Sequence, residues 1–313
     1  MNLEKKIRAF APASVGNVTC GFDVLGMAVE APGDEVEAAF NEEGILRIVA
    51  ITGDKGVLPL DARKNTAGIA VQALLDKLGR KEGIDLWLHK NMPMGSGLGS
   101  SAASAVAAVV AVNALLGSPL SKHELMPFTL VAEGSVSGTA HGDNVIPSLL
   151  GGIVLLRSYE PLEIVELPIP ASLFCTVVHP DLQIFTKEAR GRIPTEIPMK
   201  TALKQMSCLS GFVAGLYRSD YELIGKSLQD YLAEPYRVDL IKGFDDAKKV
   251  ALETGALNFG ISGSGPSVYS FSNSLEKAEN IAKVIKSAFK NHEIGSESYV
   301  SKVNQQGAYI LED

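Results

Sequence analysis

Apolar residues recur along the chain with two different periods, and their order predicts a mixture of helices and strands. Over 66–78 they have helical spacing, with Asn65 placed to cap the first turn and Gly79 placed to end the helix. Residues 84–89 instead alternate as in a half-buried strand. The same patterns predict strands at 7–11, 25–30, 35–40, 45–51, 153–156, 164–167, 173–178, 268–271 and 308–311. Further helices are predicted at 100–116, 121–133, 199–217, 221–232, 240–252 and 275–289.

Helices and strands are interspersed along the whole chain, which indicates an α+β fold. The length of 313 residues corresponds to about two domains. A proline-rich stretch at 161–170 is the best candidate for the boundary, because proline favours turns and linkers. We therefore predict an N-terminal domain over 1–165 and a C-terminal domain over 166–313.

The composition argues against several classes of function. Hydrophobic residues make up 46% of the chain, charged residues 21% and aromatic residues 6%, and the formal net charge is −7. No run of lysine and arginine reaches four residues, so neither a nucleic-acid partner nor a membrane surface is expected. Cys20, Cys175 and Cys208 have no metal-like spacing and fit a reducing compartment, so we predict a cytoplasmic protein.

The strongest local signal is a glycine-rich loop that leads into an alanine-rich helix. Glycines allow backbone amides to turn inward and approach an anion closely. The helix that follows offers unpaired N–H groups and the positive end of its dipole. Serine hydroxyls at the helix start can reach phosphate oxygens or a magnesium ion. The residues predicted to hold the phosphates are Pro93, Met94, Gly95, Ser96, Gly97, Leu98, Gly99, Ser100, Ser101, Ala102 and Ala103.

Three other interpretations of this loop compete with this form of phosphate binding. A dinucleotide-binding fingerprint would need glycine or alanine where Ser100 stands, and an acidic residue about 20 positions later. The chain has Ser118 and Pro119 near that point. A P-loop would need lysine directly after the glycines, and none follows. The third alternative is a loop that only connects a strand to a core helix.

The sequence Pro-x-x-x-Gly-Leu-Gly-Ser-Ser-Ala, which begins at Pro93, resembles the ATP loop of the GHMP kinases. Two further glycine-bearing motifs, at 11–26 and 260–266, fall where that family has its other two. The resemblance therefore extends over nearly the whole chain. It implies a kinase that uses ATP and Mg²⁺ and forms a homodimer. It also implies an N-terminal ribosomal-protein-like domain with a left-handed crossover and a C-terminal ferredoxin-like domain.

Within that family, the motifs resemble those of the members that act on homoserine. The similar segments are 17–26, which ends in Gly-Phe-Asp-x-Leu-Gly, 133–144, and 186–190, which reads Thr-Lys-Glu-Ala-Arg. The segment Gly-Arg-Val-Asn-Leu-Ile-Gly-Glu-His of the galactose-specific members is absent. The resemblance implies phosphorylation of the primary hydroxyl of L-homoserine, a reaction of threonine biosynthesis.

Homoserine is a zwitterion with a primary alcohol, and the matching residues fit its charged groups. The resemblance places Asp23 against the ammonium group, although an aspartate in such a loop can also be an ordinary turn residue. It places Arg190 and Arg237 against the carboxylate, which a guanidinium can bind through two parallel hydrogen bonds. The residues implied to bind the amino-acid head or the hydroxyl are Asn17, His141 and Asn144.

Magnesium is implied at Glu133, with Ser100 or Ser101 as a second ligand, because Mg²⁺ takes few protein oxygens and keeps its waters. A glutamate near a helix C-terminus opposes the dipole, which favours a functional role over an exposed helix end. Thr186 is expected to approach the γ-phosphate or the substrate hydroxyl. Glu133, Thr186 and Asn144 are therefore the predicted catalytic residues.

The reacting hydroxyl has no evident base. Where related kinases have an aspartate, this chain has Asn144, which cannot accept a proton. Asp143 is expected to point elsewhere if the backbone is extended there. We hypothesise direct attack without a side-chain base. Lys90 is expected to neutralise phosphate charge, and Asn65 to contact the adenine.

Two other functions are compatible with parts of this pattern. A sibling kinase for mevalonate or another small alcohol would need neither an ammonium partner such as Asp23 nor the arginine pair. A non-catalytic sensor of amino acids or nucleotides would be indicated by a degenerate phosphate loop or by loss of Glu133. The sequence has neither of these changes.

Overall fold

The strands form two sheets in a computed structural model that describes residues 5–137 and 142–312, with only the backbone for 135–137. Seven strands belong to the first sheet and four to the second. In chain order they are β1 (Lys6–Gly16), β2 (Leu25–Asn41), β3 (Leu46–Thr52), β4 (Gly83–His89), β5 (Ile153–Tyr159), β6 (Leu162–Leu167), β7 (Phe174–Pro180), β8 (Gly260–Ile261), β9 (Val268–Ser272), β10 (Ser296–Lys302) and β11 (Tyr309–Ile310).

The first sheet has the order β11-β1-β2-β4-β3, and β5 and β6 extend it from β2. Strands β3 and β4 are parallel, and the helix Thr66–Leu78 connects them. The second sheet has the order β10-β7-β9-β8 and is antiparallel. The long strand β2 pairs with β1, β4 and β5, so it forms the centre of the first sheet.

Most of the helices pack on one of these sheets or on each other. Nearly all of Ser100–Leu115 is buried, because its small and branched side chains allow close contact with the helices and strands around it. No helix in the described ranges is long and apolar enough to cross a membrane. The helices are α1 (Thr66–Leu78), α2 (Ser100–Leu115), α3 (Lys122–Ser137), α4 (Gly142–Leu150), α5 (Thr186–Gly191), α6 (Met199–Arg218), α7 (Tyr221–Ser227), α8 (Glu234–Arg237), α9 (Phe244–Glu253) and α10 (Leu275–Asn291).

The chain returns to the first sheet near its C-terminal end. Strand β11 pairs with β1, and Val303 forms a bridge to Val29. Backbone hydrogen bonds join Gly152 to Asn304 at 2.6 Å and Ala308 to Leu149 at 3.2 Å. The predicted boundary at 165 falls inside β6, which is paired with β5 over its length. Residues 303–310 therefore belong structurally with the first sheet and not with the second.

Several elements were predicted correctly from the residues within and next to them. Helix α1 has the predicted bounds, and the Asn65 side chain accepts a hydrogen bond from the amide of Ala67 at 3.1 Å. The helix predicted from 121 begins with a capping box, in which Ser121 and Glu124 each bind the amide of the other. Strand β1 was expected to end before Pro12, but it continues to Gly16 through a register shift. Such an irregularity accommodates a residue that has no N–H to donate.

Three other predicted elements differ from the structure. The helix expected over 221–232 ends at Ser227, because the Asp230 carboxylate binds three amides of a new turn. The helix expected from 240 begins at Phe244. The helix expected to end at 133 continues to Ser137, and a further helix, α4, begins at Gly142.

Candidate active site

The glycine-rich loop ends at an open helix N-terminus. Gly95, Gly97 and Gly99 have φ angles of 65°, 76° and 69°, in the left-handed region that favours glycine. Gly99 is the residue that caps α2, and it has no side chain with which to bind the first amides of the helix. Those amides and the helix dipole therefore remain available to an anion.

The three glycine-bearing motifs of the sequence meet around this loop. The amide of Ser14 donates to the Leu98 carbonyl at 3.1 Å, and that of Ser267 donates to the Ser96 carbonyl at 3.1 Å. A methyl group on Gly97 would lie 2.5 Å from the carbonyl oxygen of Ser262. Glycine is therefore required at 97 for close packing of the two loops. Motifs as far apart in the chain as 11–26 and 260–266 therefore form one site.

A cleft with a volume of about 170 Å³ lies beside this loop. The phosphate-loop residues line one part of it, and so does Glu133. The predicted substrate residues line another part. These are Asn17, Asp23, Asn144, Thr186, Arg190 and Arg237. His141 lies outside the described residues.

An ion pair connects two of the predicted substrate residues. The Arg190 guanidinium donates to the Asp23 carboxylate at 2.6 Å, and both side chains remain about a third exposed. The bond to Asp23 raises the pKa of Arg190. Arg190 also lies over the ring of Phe22, with 4.9 Å between the guanidinium carbon and the ring centroid. The cleft therefore presents one negative and one positive group side by side.

A turn with left-handed backbone positions Asn17. Residues 17–19 all have positive φ angles, which cost energy for residues other than glycine. The Asn17 amide donates to the Asp143 carboxylate at 2.9 Å, and its side-chain nitrogen donates to the Gly263 carbonyl at 3.0 Å. Its side-chain oxygen accepts from the Asp23 amide at 3.0 Å. The turn is held by contacts to three other segments.

Arg237 lies deeper than Arg190 and is only 4% exposed. Its guanidinium donates to the carbonyls of Gly263 at 2.9 Å and Ala189 at 3.3 Å. Burial lowers the pKa of this group, but an arginine stays protonated in proteins. Arg237 therefore places a fixed positive charge at the floor of the cleft.

Asp143 and Asn144 both line the cleft, contrary to the expectation that Asp143 would point away. That expectation assumed an extended backbone, whereas both residues lie in the first turn of α4. The hydroxyl of Ser14 donates to the Asn144 side-chain oxygen at 3.0 Å. The Asn144 side-chain nitrogen lies 3.3 Å from the Asp143 carboxylate. A carboxylate is therefore close to the space left for the substrate.

The proposed metal ligands Ser100, Ser101 and Glu133 line the same cleft. The Ser100 hydroxyl donates to Asp34 at 2.9 Å, and the Ser101 hydroxyl donates to Thr66 at 3.3 Å. Both oxygens keep lone pairs for another ligand. Within the described ranges, no three acidic, histidine or cysteine side chains form a metal cluster. A Mg²⁺ ion held largely by phosphates and water needs only such a sparse set.

The ammonium group of Lys90 is bonded to other protein groups beneath the glycine-rich loop. Its ammonium contacts the Asp34 carboxylate, the Ser104 hydroxyl at 2.5 Å and the Ser100 carbonyl at 2.8 Å. Burial lowers the pKa of Lys90, and the nearby Asp34 opposes that effect. Its charge is therefore compensated by Asp34, which weakens the expectation that it neutralises phosphate. No local feature of the sequence indicates this pair, because its members are 56 positions apart.

A second cleft, with a volume of about 320 Å³, adjoins the first and shares Gly95, Ser100 and Ser101 with it. Its lining is mainly apolar. Asn65 lies there, and its side chain donates to the Pro59 carbonyl at 3.0 Å while it caps α1. An apolar space next to the phosphate loop suits a nucleobase. Other lining residues are Leu58, Pro59, Leu88 and Met94.

Sequence reasoning did not identify several residues that shape the site. They are Ser14, Asp34, Tyr159, Gly263 and Ser264. Ser264 bonds the Thr186 hydroxyl at 3.4 Å and lies in the third glycine motif. That motif was the available signal for Gly263 and Ser264.

Comparison with known proteins defines the class of protein. Residues 65–152 match the family model described as the GHMP kinases N-terminal domain, and residues 212–291 match that of the GHMP kinases C-terminal domain. The chain belongs to the GHMP kinase family.

Proteins similar to this chain along its full length are named homoserine kinases. That of Chlorobium phaeobacteroides (strain DSM 266) is 47% identical over 98% of this chain and 100% of its own. That of Xanthomonas campestris pv. campestris is 38% identical over 98% and 94%. The crystal structure of homoserine kinase from Cytophaga hutchinsonii has a TM-score of 0.97 and 50% identity, and covers 99% of each chain. A mevalonate kinase from L. major, at 16% identity and a TM-score of 0.68 over 95% of each chain, shares the fold.

Proposed function

We propose that this kinase transfers the γ-phosphoryl group of ATP to the primary hydroxyl of L-homoserine and forms O-phospho-L-homoserine, as a reaction of threonine biosynthesis. The observation that carries the proposal is the position of the Asp23–Arg190 ion pair, which lines the same cleft as the phosphate loop. A zwitterionic amino acid can offer an ammonium group to Asp23 and a carboxylate to Arg190. The full-length similarity to proteins named homoserine kinases supports the same substrate.

The substrate binds by replacing the Asp23–Arg190 ion pair with one ion pair to each residue. Asp23 accepts hydrogen bonds from the ammonium group, and Arg190 turns its guanidinium toward the carboxylate. Arg237 adds a second positive charge at the floor of the cleft. A ligand with only one of the two charges would separate the pair without replacing both interactions. The site therefore favours zwitterions over simple alcohols.

Phosphoryl transfer then depends on position and charge. The hydroxyl oxygen of the substrate forms a bond to the γ-phosphorus, and the bond from that phosphorus to the bridging oxygen of ADP breaks. The amides of the glycine loop and the N-terminus of α2 bind the phosphates. Asn144 is placed to orient the hydroxyl, and Thr186 to contact the γ-phosphate or the hydroxyl. Mg²⁺ bound at Glu133 and Ser100 or Ser101 would supply charge neutralisation of the phosphates.

The proton of the hydroxyl leaves with phosphate or solvent in this mechanism. Asp143 is near enough to be an alternative acceptor, but its carboxylate already accepts the amide of Asn17. We propose that Asp143 holds the Asn17 turn and that no side chain acts as a base. The adenine binds in the second cleft near Asn65, where the lining is apolar.

We also propose a homodimer that forms through α6. An exposed apolar stripe on that helix consists of Met199, Leu203, Met206 and Tyr217, each 55–75% exposed. Met199 and Tyr217 lie nine positions on either side of residue 208. Two antiparallel copies of α6 would therefore place these two ends against each other, as an isologous interface requires.

Light scattering tests this interface. The proposal expects a dimer for the native chain and a monomer for Met206→Glu, with Leu252→Glu as a control on another exposed apolar residue. A native monomer at all concentrations, or a dimer that survives Met206→Glu, would contradict it. A cytoplasmic location remains a prediction that rests on the free cysteines.

Substrate choice is tested by ADP release with Mg-ATP and a panel of L-homoserine, mevalonate, galactose, shikimate and L-threonine. We expect strong turnover with L-homoserine alone. Turnover with another alcohol would agree with the proposed kinase reaction but would contradict the assignment of Asp23 and Arg190 to an amino-acid substrate. ATP binding without any turnover would favour a sensor.

A further inference from the structure

Tyr159 connects two parts of the substrate site through a single hydroxyl group. The hydroxyl accepts a hydrogen bond from the Gly142 amide at 3.2 Å and donates one to the Asp23 carbonyl at 3.2 Å. Tyr159 is the last residue of β5, which pairs with both β2 and β6. The bridge is therefore anchored on the first sheet.

Each end of the bridge is next to residues that face the substrate. Gly142 is the first described residue of α4, and its amide donates to the Tyr159 hydroxyl. Asp143 and Asn144 follow directly in the same turn. A methyl group on Gly142 would lie 2.3 Å from Leu156 and 3.4 Å from the Tyr159 ring, so the start of α4 packs closely on β5.

The other end of the bridge holds a residue with an unfavourable backbone. Asp23 has a φ angle of 58°, in the left-handed region. Such a conformation persists only when contacts around it fix it. The Asn17 side chain fixes the Asp23 amide, and Tyr159 fixes the Asp23 carbonyl. Burial raises the pKa of Tyr159 to about 12, so the hydroxyl keeps its proton and can donate it at neutral pH.

We propose that Tyr159 is a positioning residue that sets the distance between the Asp23 carboxylate and the first turn of α4. It acts through these two neighbours and does not touch the reacting atoms. The inference rests on the proposed function, because Asp23 is assigned there to the ammonium group and Asn144 to the hydroxyl. Tyr159 thereby fixes the spacing between the two ends of the substrate, which selects for chain length.

The variant Tyr159→Phe removes the hydroxyl and keeps the ring. We expect the KM for L-homoserine to rise about 5- to 30-fold, as the loss of one or two hydrogen bonds implies. The KM for ATP should stay within about twofold, because no contact to the phosphate loop is lost. Tyr299→Phe is the matched control, since its hydroxyl bonds Glu297 on the second sheet.

An unchanged KM for L-homoserine in an active Tyr159→Phe enzyme would overturn the inference, and so would an equal rise in both KM values. Hydrogen exchange gives a second measurement that needs no substrate. The Gly142 amide should exchange faster in Tyr159→Phe than in the native chain or Tyr299→Phe, and equal rates would also refute the bridge. If the native enzyme does not turn over L-homoserine, the proposed function fails while the exchange rates still decide the role of Tyr159.

Discussion

Replacement of Lys90 by methionine should destabilise the fold by about 3–5 kcal/mol, the usual effect of removing one partner of a buried ion pair. The side chains of Lys90 and Asp34 are 2% and 0% exposed. Methionine keeps an apolar chain of similar length, so the main loss is the ammonium group. Asp34 would then keep a buried charge, with amide bonds from Asn91 at 2.9 Å and Met92 at 3.2 Å but without a counter-charge.

A double-mutant cycle separates this electrostatic effect from lost packing. The variant Lys90→Met with Asp34→Asn removes both charges, and it should be more stable than the sum of the single changes predicts. We expect a coupling of about 2 kcal/mol, within the range for residues in one polar network. Urea unfolding gives these free energies, followed by the fluorescence of Trp87, the single tryptophan, and by circular dichroism.

An exposed pair provides the control. Lys226 and Glu222 are 73% and 77% exposed and four positions apart on α7, so Lys226→Met should cost less than about 1 kcal/mol. The reasoning is refuted if Lys90→Met leaves stability within that same limit and instead raises the KM for ATP. That result would restore the expectation that Lys90 neutralises phosphate charge.

Four further predictions follow from the site. Asp143→Asn should raise the KM for L-homoserine while kcat falls less than tenfold, whereas loss of turnover with intact binding and folding would make Asp143 the base. Glu133→Gln should raise the Mg²⁺ concentration needed for half-maximal ADP release by tenfold or more, and an unchanged requirement would remove it from the metal site. Calorimetry should show that 4-hydroxybutyrate and 3-aminopropan-1-ol each bind at least 100-fold more weakly than L-homoserine, and comparable affinity would refute the charge exchange with Asp23 and Arg190. Gly97→Ala should raise the KM for ATP at least tenfold because its methyl group meets a carbonyl, whereas Gly44→Ala, with a similar φ of 69° and open space around it, should not.

The elements predicted well from the sequence are those specified by nearby residues. Helix α1 has an apolar stripe, a capping asparagine and a terminal glycine within 15 positions, and its bounds were correct. Strand β10 was missed because its residues are mostly half-exposed and do not alternate. It forms because all seven of its residues pair with β7, which lies more than 110 positions earlier. Such a strand has little local signal to detect.

In the candidate site, too, features specified by nearby residues were predicted, and features that depend on distant contacts were not. The glycine motifs marked the three loops that meet at the site, since glycine is required where backbones approach closely. That the loops would meet was not evident from the sequence. The sequence could not show that Asp23 and Arg190 would pair with each other, because 167 positions separate them. It also placed Asp143 wrongly, because the direction of that side chain depends on a helix that begins one residue earlier.

The return of residues 303–310 to the first sheet has a consequence for how the chain acquires its structure during synthesis. Ala9 of β1 pairs with Ile310 of β11, so β1 is synthesised long before its outer neighbour. A nascent chain that has emerged only as far as β6 has an unpaired edge at β1 and lacks the bridge from Val303 to Val29. Exposed edges of this kind promote association with other strands. The sheet beside the glycine-rich loop therefore stays incomplete until the ribosome has also made β11.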